Sequence, residues 1–231
     1  MRTEPPSRLR TSVAWVAIPL AGALWHLHNL RGTWWFFDEW SVIERVSHRA
    51  FFEGVTTGFN GHLWMPTYVL YRAQVSQFGI ERHAFVMAAY VLVLVALDLA
   101  IAAVLRASSV PLLVALPMAA LVTYLGVAGQ NLLFVVQASS MLAMALCAAA
   151  TALVLRRPPT RTTLTIVGVV LLCAVGADSG YALSGIVLAS IVAVLTWSWR
   201  RAWPALVPSD RHNHSRANAS CPLETFRFDQ R

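Results

Sequence analysis

The chain has no lysine, and charge of either sign is scarce. Only 13% of its 231 residues are charged, about half of what a water-soluble domain carries. Such a composition cannot supply a surface that faces water on all sides, which excludes an ordinary soluble globule. Cysteine is limited to Cys147 and Cys173, inside apolar runs, and Cys221 near the end. No Cys-x-x-Cys or Cys/His spacing occurs, so no zinc motif or structural disulfide is expected. No internal repeat is visible either, which counts against a transporter built from paired repeats.

What is present is apolar. Hydrophobic residues make up 57% of the chain, and several runs approach the roughly 20 residues a helix needs to cross a bilayer. The fold class predicted is all-α: a polytopic transmembrane helical bundle of about six spans, with interfacial helices in the first outer loop. The net charge of +7 would point to nucleic acid in a soluble protein. Here every basic side chain is Arg, and the Arg cluster in linkers, so they read as orientation signal and no nucleic-acid partner is expected.

The chain divides into a membrane module, 1–201, and a polar tail, 202–231, which is expected to be a disordered cytoplasmic segment. A basic lead precedes a first span at 13–30 that contains Pro19. It reads as an uncleaved membrane helix, because no small-x-small cleavage site follows before His26 and His28. The outer loop, 31–82, holds Asp38, Glu39, Glu44, Glu53 and Glu81. Within it, 38–52 places Val42, Ile43, Val46 and Ala50 at helical spacing, and 63–78 can put Tyr68, Tyr71, Val75 and Phe78 on one face. Both read as helices lying in the interface plane, joined by a turn at Gly54, Gly58, Asn60 and Gly61. Further spans are predicted at 83–105, 110–127, 132–155, 163–177 and 181–199, with Trp197, Trp199 and Trp203 as an aromatic belt.

Arg placement sets the orientation. With the N-terminus in the cytoplasm, Arg106, the Arg156/Arg157/Arg161 cluster and Arg200/Arg201 all fall inside. The loops at 126–137 and 178–180 then fall outside with 31–82. Asp38, Glu39, Asn131, Gln137 and Asp178 open onto that one face, although orientation was read from Arg alone. The expected location is the plasma membrane, multi-pass, with both termini cytoplasmic.

The stretch Trp34-Trp35-Phe36-Phe37-Asp38-Glu39-Trp40 is the centre of this arrangement. Aromatics of that density collect at the membrane–water interface. Two adjacent carboxylates do nothing for such an anchor and are costly to bury. They read either as a charged cap or as a general base that takes a proton from a hydroxyl. His62 reads as amphipathic packing or as a substrate or carboxylate partner. Arg45, Arg72 and Arg82 are the outer cations that could meet a phosphate or an ordinary headgroup. Asn131 and Gln137 suit sugar hydroxyls, and interhelical hydrogen bonding explains them equally well. Asp98 lies in an apolar run about 12 Å of helix rise from Arg106, and reads as a helix-packing residue on the cytoplasmic half.

The residues Phe37-Asp38-Glu39-Trp40, Gly61-His62-Leu63-Trp64-Met65-Pro66 with Tyr71-Arg72, and 129–137 (Gly-Gln-Asn-Leu-Leu-Phe-Val-Val-Gln) resemble a known plan. An inside N-terminus, one span and a long outer loop opening on an acidic pair is similar to type C (GT-C) membrane glycosyltransferases. The resemblance is to bacterial relatives of the dolichyl-phosphate-mannose protein mannosyltransferases, and it covers about residues 11–200. It implies sugar transfer from a polyprenyl-phosphate donor to an outer-face hydroxyl. Asp38 would be the base, and Glu39 its helper or a metal ligand; the resemblance leaves the cofactor open, a divalent metal being compatible with it. Membrane lipid and the polyprenyl-phosphate sugar would be the partners. Substrate binding would fall to His62, Arg72, Arg82, Asn131, Gln137 and Asp178. The family has more than six spans, so the resemblance also implies that the chain corresponds to an N-terminal part. The competing class is a non-catalytic membrane subunit whose outer loop binds a partner or lipid.

Overall fold

The computed structural model describes residues 8–30, 35, 38–59, 62–81, 83–124 and 135–206. Among them the regular structure is helical: α1 (Arg8–Leu30), α2 (Asp38–His48), α3 (Phe51–Thr56), α4 (Met65–Phe78), α5 (Ala84–Ala107), α6 (Leu112–Tyr124), α7 (Ala138–Arg156), α8 (Arg161–Ala177) and α9 (Ser179–Leu206). A 3-10 turn, Val135–Gln137, leads into α7.

α5 and α7 form the centre. α1 and α6 pack on α5, α8 and α9 pack on α7, and the short helices reach the bundle mainly through α4. The α7 sequence explains its central place. Its buried positions include Ala138, Ser139, Ser140, Ala143, Ala145, Ala150 and Ala152, small side chains that let neighbouring backbones come close. The opposite pattern holds on α9, where Leu183, Val187, Leu188, Ile191, Val194 and Leu195 all point outward and exposed. A row of that kind suits lipid and not water.

Among the described residues three helices are long and apolar enough to cross a membrane: Ala84–Ala107, Val135–Arg156 and Ser179–Ser198. The other apolar segments expected to span are different in kind. α6 and α8 are shorter apolar helices. α1 has 23 residues but carries Pro19 inside and His28 in its last turn. The polar tail expected from 202 begins inside α9, which runs on to Leu206; residues 207–231 and 125–134 lie outside the described residues.

The segment expected as one amphipathic helix, 38–52, is two. α2 has 11 residues and α3 has 6, each well short of the roughly 20 needed to span. The break has a long-range cause. Arg72 on α4 donates Nη1 to the carbonyl oxygens of Val46 and Arg49, satisfying the orphan carbonyls with which α2 ends. Val42, Ile43 and Val46 are buried as the spacing predicts, while Ala50 is exposed.

Gly54, expected in a turn, lies inside α3 instead. A Cβ there would meet Tyr68 Cζ at 1.9 Å, so the residue is small because Tyr68 crosses it. On α4 the buried side chains are Thr67, Tyr68, Tyr71 and Gln74, and Phe78 is exposed. Trp35, expected in an interfacial belt, is instead a core residue: it is 4% exposed and its indole N–H donates to the Ile80 carbonyl at 2.7 Å.

Candidate functional site

The acidic pair is divided by the helix that carries it. Consecutive residues on an α-helix point about 100° apart. Asp38, in the first turn of α2, is exposed and faces a cavity. Glu39 turns into the protein, is 2% exposed, and accepts a hydrogen bond from the Tyr71 hydroxyl at 2.5 Å. Burial, and then the neighbouring Glu39 charge, hold the Tyr71 phenol well above its ordinary value, so it stays neutral and donates.

The cavity measures about 260 Å³. Asp38, His62, Gln137 and Asp178 line it, with Phe59, Trp64 and Tyr181 among its walls. Four helices begin at its edge: α2 at Asp38, α4 just after Trp64, α7 just after Gln137, and α9 just after Asp178.

Each wall is fixed by hydrogen bonds that the chain order does not foretell. Asp178 Oδ1 accepts from the amides of Gly180 at 2.9 Å and Tyr181 at 3.3 Å, capping α9. Its Oδ2 accepts from Ser140 Oγ of α7 at 2.6 Å. The Leu63 amide donates to Ser179 Oγ at 3.2 Å. Thr67 of α4 and Ser139 of α7 are linked through both hydroxyls and both amides, with the hydroxyl pair 2.8 Å apart. The loop before α4 closes through paired backbone bonds between Phe59 and His62, 2.8 and 3.0 Å long.

His62 is seated over Gly180, where a Cβ would stand 2.4 Å from Nδ1. Gly180→Ala is therefore expected to displace the imidazole from the cavity. Helix α9 itself accepts Ala, whose helical propensity exceeds that of Gly by about 1 kcal/mol. The His62 imidazole resonance should shift in an NMR spectrum while helix content by circular dichroism holds; an unmoved resonance would refute the packing.

The remaining sequence candidates sit elsewhere. Arg72 is engaged at the end of α2, as described above. Arg45 donates Nη1 to the Gly58 carbonyl at 3.3 Å and lies 5.0 Å over the Phe59 ring, a cation–π contact that brings it against a cavity wall. Asp98 is fully buried in α5 and does not line the cavity. Arg82 and Asn131 lie outside the described residues. Among the described residues no group of three or more His, Cys, Asp and Glu could hold a metal ion.

Ser139, Ser140 and Ser179 were not singled out in the sequence. A signal existed: Asp178-Ser179-Gly180 before an apolar run is an N-cap pattern, and Ser139-Ser140 open an otherwise apolar helix. No family model, curated protein or solved structure matches the chain.

Proposed function

We propose that the chain is a multi-pass plasma-membrane protein that carries a sugar-transfer site at its outer face. In this reading α1 and α5 to α9 cross the bilayer, α2 to α4 lie in the outer interface, and both termini are cytoplasmic. The reaction is transfer of a sugar from a polyprenyl-phosphate donor to a hydroxyl acceptor. One observation carries the reading. Asp38, His62, Gln137 and Asp178 come from four separate stretches of sequence and line one cavity, in a protein whose described residues include three helices apolar enough to cross a membrane. A lipid-linked donor needs that combination of a polar pocket beside a hydrocarbon-facing surface.

The step balances on the residues present. Asp38 takes the proton of the acceptor hydroxyl, whose oxygen bonds to the anomeric carbon. The bond from that carbon to the phosphate oxygen breaks, and polyprenyl phosphate leaves with the electron pair. Arg45, stacked on Phe59, meets the phosphate charge. His62 and Gln137 bind sugar hydroxyls. Glu39, held by Tyr71, orients the first turn of α2 and is a positioning residue.

Two measurements test this. Single-cysteine accessibility in intact cells should place Gly58→Cys outside and Pro158→Cys inside; both on one side would end the topology. Reconstituted protein given polyprenyl-phosphate sugars, with a radiolabelled sugar and a hydroxyl acceptor, should form labelled product. No transfer above protein-free vesicles, across the donors tried, would leave the loop as a binding surface for partner or lipid.

A further inference from the structure

A second polar cavity lies at the other end of α7. It encloses about 390 Å³ and is lined by Leu153, Arg157, Thr160, Thr162, Thr163 and Ile166. α7 carries 19 residues from Ala138 to Arg156. That is about 28 Å of helix rise, close to the roughly 30 Å of a bilayer's hydrocarbon. With its 3-10 turn, α7 is also one of the segments long and apolar enough to cross. A cavity that opens where such a helix ends stands at the level of lipid headgroups, on the surface opposite the cavity at Asp38.

The chain builds this cavity at a stiff corner. Pro158 and Pro159 each fix φ near about −65°, and the Thr160 amide turns back to donate to the Pro158 carbonyl at 2.8 Å. Thr160 then caps α8. Its Oγ1 accepts from the Thr163 amide at 3.2 Å and lies 2.9 Å from the Thr163 hydroxyl. That pair of hydroxyls has two protons and uses one between them, so one remains for a ligand. Thr162 adds a third hydroxyl. Leu153 and Ile166 lie about one turn further into their helices and add hydrocarbon to the wall.

Charge and the neighbouring surface decide what the cavity fits. Arg156 donates to the Ala103 carbonyl at 3.2 Å, while Arg157 turns to the cavity. The salt bridge found among the described residues joins Arg49 to Glu53, so no carboxylate among them neutralises Arg157 or the exposed Arg161. A guanidinium presents a planar fork that matches two oxygens of one phosphate. Ile166 also opens a row on α8. Ile166, Val169 and Cys173, spaced i, i+3 and i+7, are all exposed, and the row runs from the cavity wall toward the bilayer centre. A free phosphate has no use for such a row, and a lipid chain does.

We propose that this cavity binds an anionic phospholipid, its phosphodiester on Arg157 and the threonine hydroxyls and one acyl chain along the α8 row. A zwitterionic lipid carries its own cation a few atoms beyond the phosphate. That cation would meet Arg157 and Arg161, and the like charges select against it. A phosphatidylglycerol head ends instead in hydroxyls, which the threonines match. The assignment rests on α7 reaching a membrane surface at Arg156 and not on sugar transfer.

Native mass spectrometry of the full chain, released from detergent micelles, counts bound lipid. Phosphatidylglycerol and phosphatidylcholine with the same acyl chains are titrated separately. The wild type should bind phosphatidylglycerol about tenfold more tightly than phosphatidylcholine. Arg157→Gln should weaken phosphatidylglycerol binding by about tenfold, the scale of a charge-assisted hydrogen bond. Thr162→Val keeps the side chain's shape and should weaken it severalfold; Thr162 is exposed, so this variant carries the test if Arg157→Gln does not fold. Arg106→Gln removes the same charge from another linker and should bind as the wild type does. Equal binding of the two lipids by the wild type would overturn the site. So would an equal loss in Arg106→Gln and Arg157→Gln, which marks diffuse surface charge, or displacement of the lipid by glycerol 3-phosphate at matching concentration, which marks a site for the head alone. None of these outcomes bears on transfer at Asp38.

Discussion

Asp38→Asn is expected to lower sugar transfer by about two to four orders of magnitude, the contribution of a general base, with the protein still folded and inserted. The substitution keeps the side chain's shape and removes its basicity. Asp38 stands exposed in the first turn of α2, and the α2 fold rests on other residues: Val42, Ile43 and Val46 are buried, and Glu39 is bonded to Tyr71. The loss should therefore appear in the chemical step and not in protein level. Asp98→Asn provides the contrast, because Asp98 is buried in α5 away from the cavity, and its transfer rate should match the wild type. Both variants are compared at equal protein level in the polyprenyl-phosphate assay. Full activity in Asp38→Asn would remove Asp38 from the mechanism and leave the aromatic–acidic stretch as an anchor.

Asp178→Ala is expected to produce the largest loss of stability, about 2–4 kcal/mol. Two separate costs combine. The cap of α9 disappears, which removes acceptors for the Gly180 and Tyr181 amides and costs about 0.5–2 kcal/mol. The Ser140 hydroxyl, 5% exposed, loses its partner, and an orphaned buried polar group costs about 1–3 kcal/mol. Asp178→Asn keeps an acceptor oxygen for the amides and should recover most of the cap. The midpoint of unfolding by sodium dodecyl sulfate in mixed micelles reads both variants. Equal midpoints for Asp178→Ala and wild type would detach Asp178 from the α7–α9 junction.

The helices of the bundle were legible because apolar runs and their Arg- and Pro-rich breaks are local signals. Arg156–Arg161 separates α7 from α8 as the sequence indicates, and the all-helical class follows from the same runs. The break in 38–52 was not legible. It is made by Arg72, which is remote in sequence and looks like a free outer cation until its carbonyl partners are known. The acidic pair shows a different kind of loss. Helix geometry already states that adjacent residues diverge, yet Asp38 and Glu39 read as one site because charge is counted more easily than direction. Gly54 and Trp35 failed through tertiary contact: one is crossed by Tyr68, the other buried against the loop before α5. For the cavity, Arg placement alone put Asp38, Gln137 and Asp178 on one face, while the serines that hold its walls carry no periodicity to betray them.

The start of four helices at one cavity has an electrostatic consequence. Aligned peptide dipoles leave about half a positive elementary charge at each helix N-terminus. α2, α4, α7 and α9 all begin there, so the backbone itself supplies about two positive charges. That is enough to balance the carboxylates of Asp38 and Asp178 without a cationic side chain. The potential is built from amides that cannot titrate and cannot swing away. It persists at any pH at which the helices persist, and the share of it that reaches solvent weakens as salt is added.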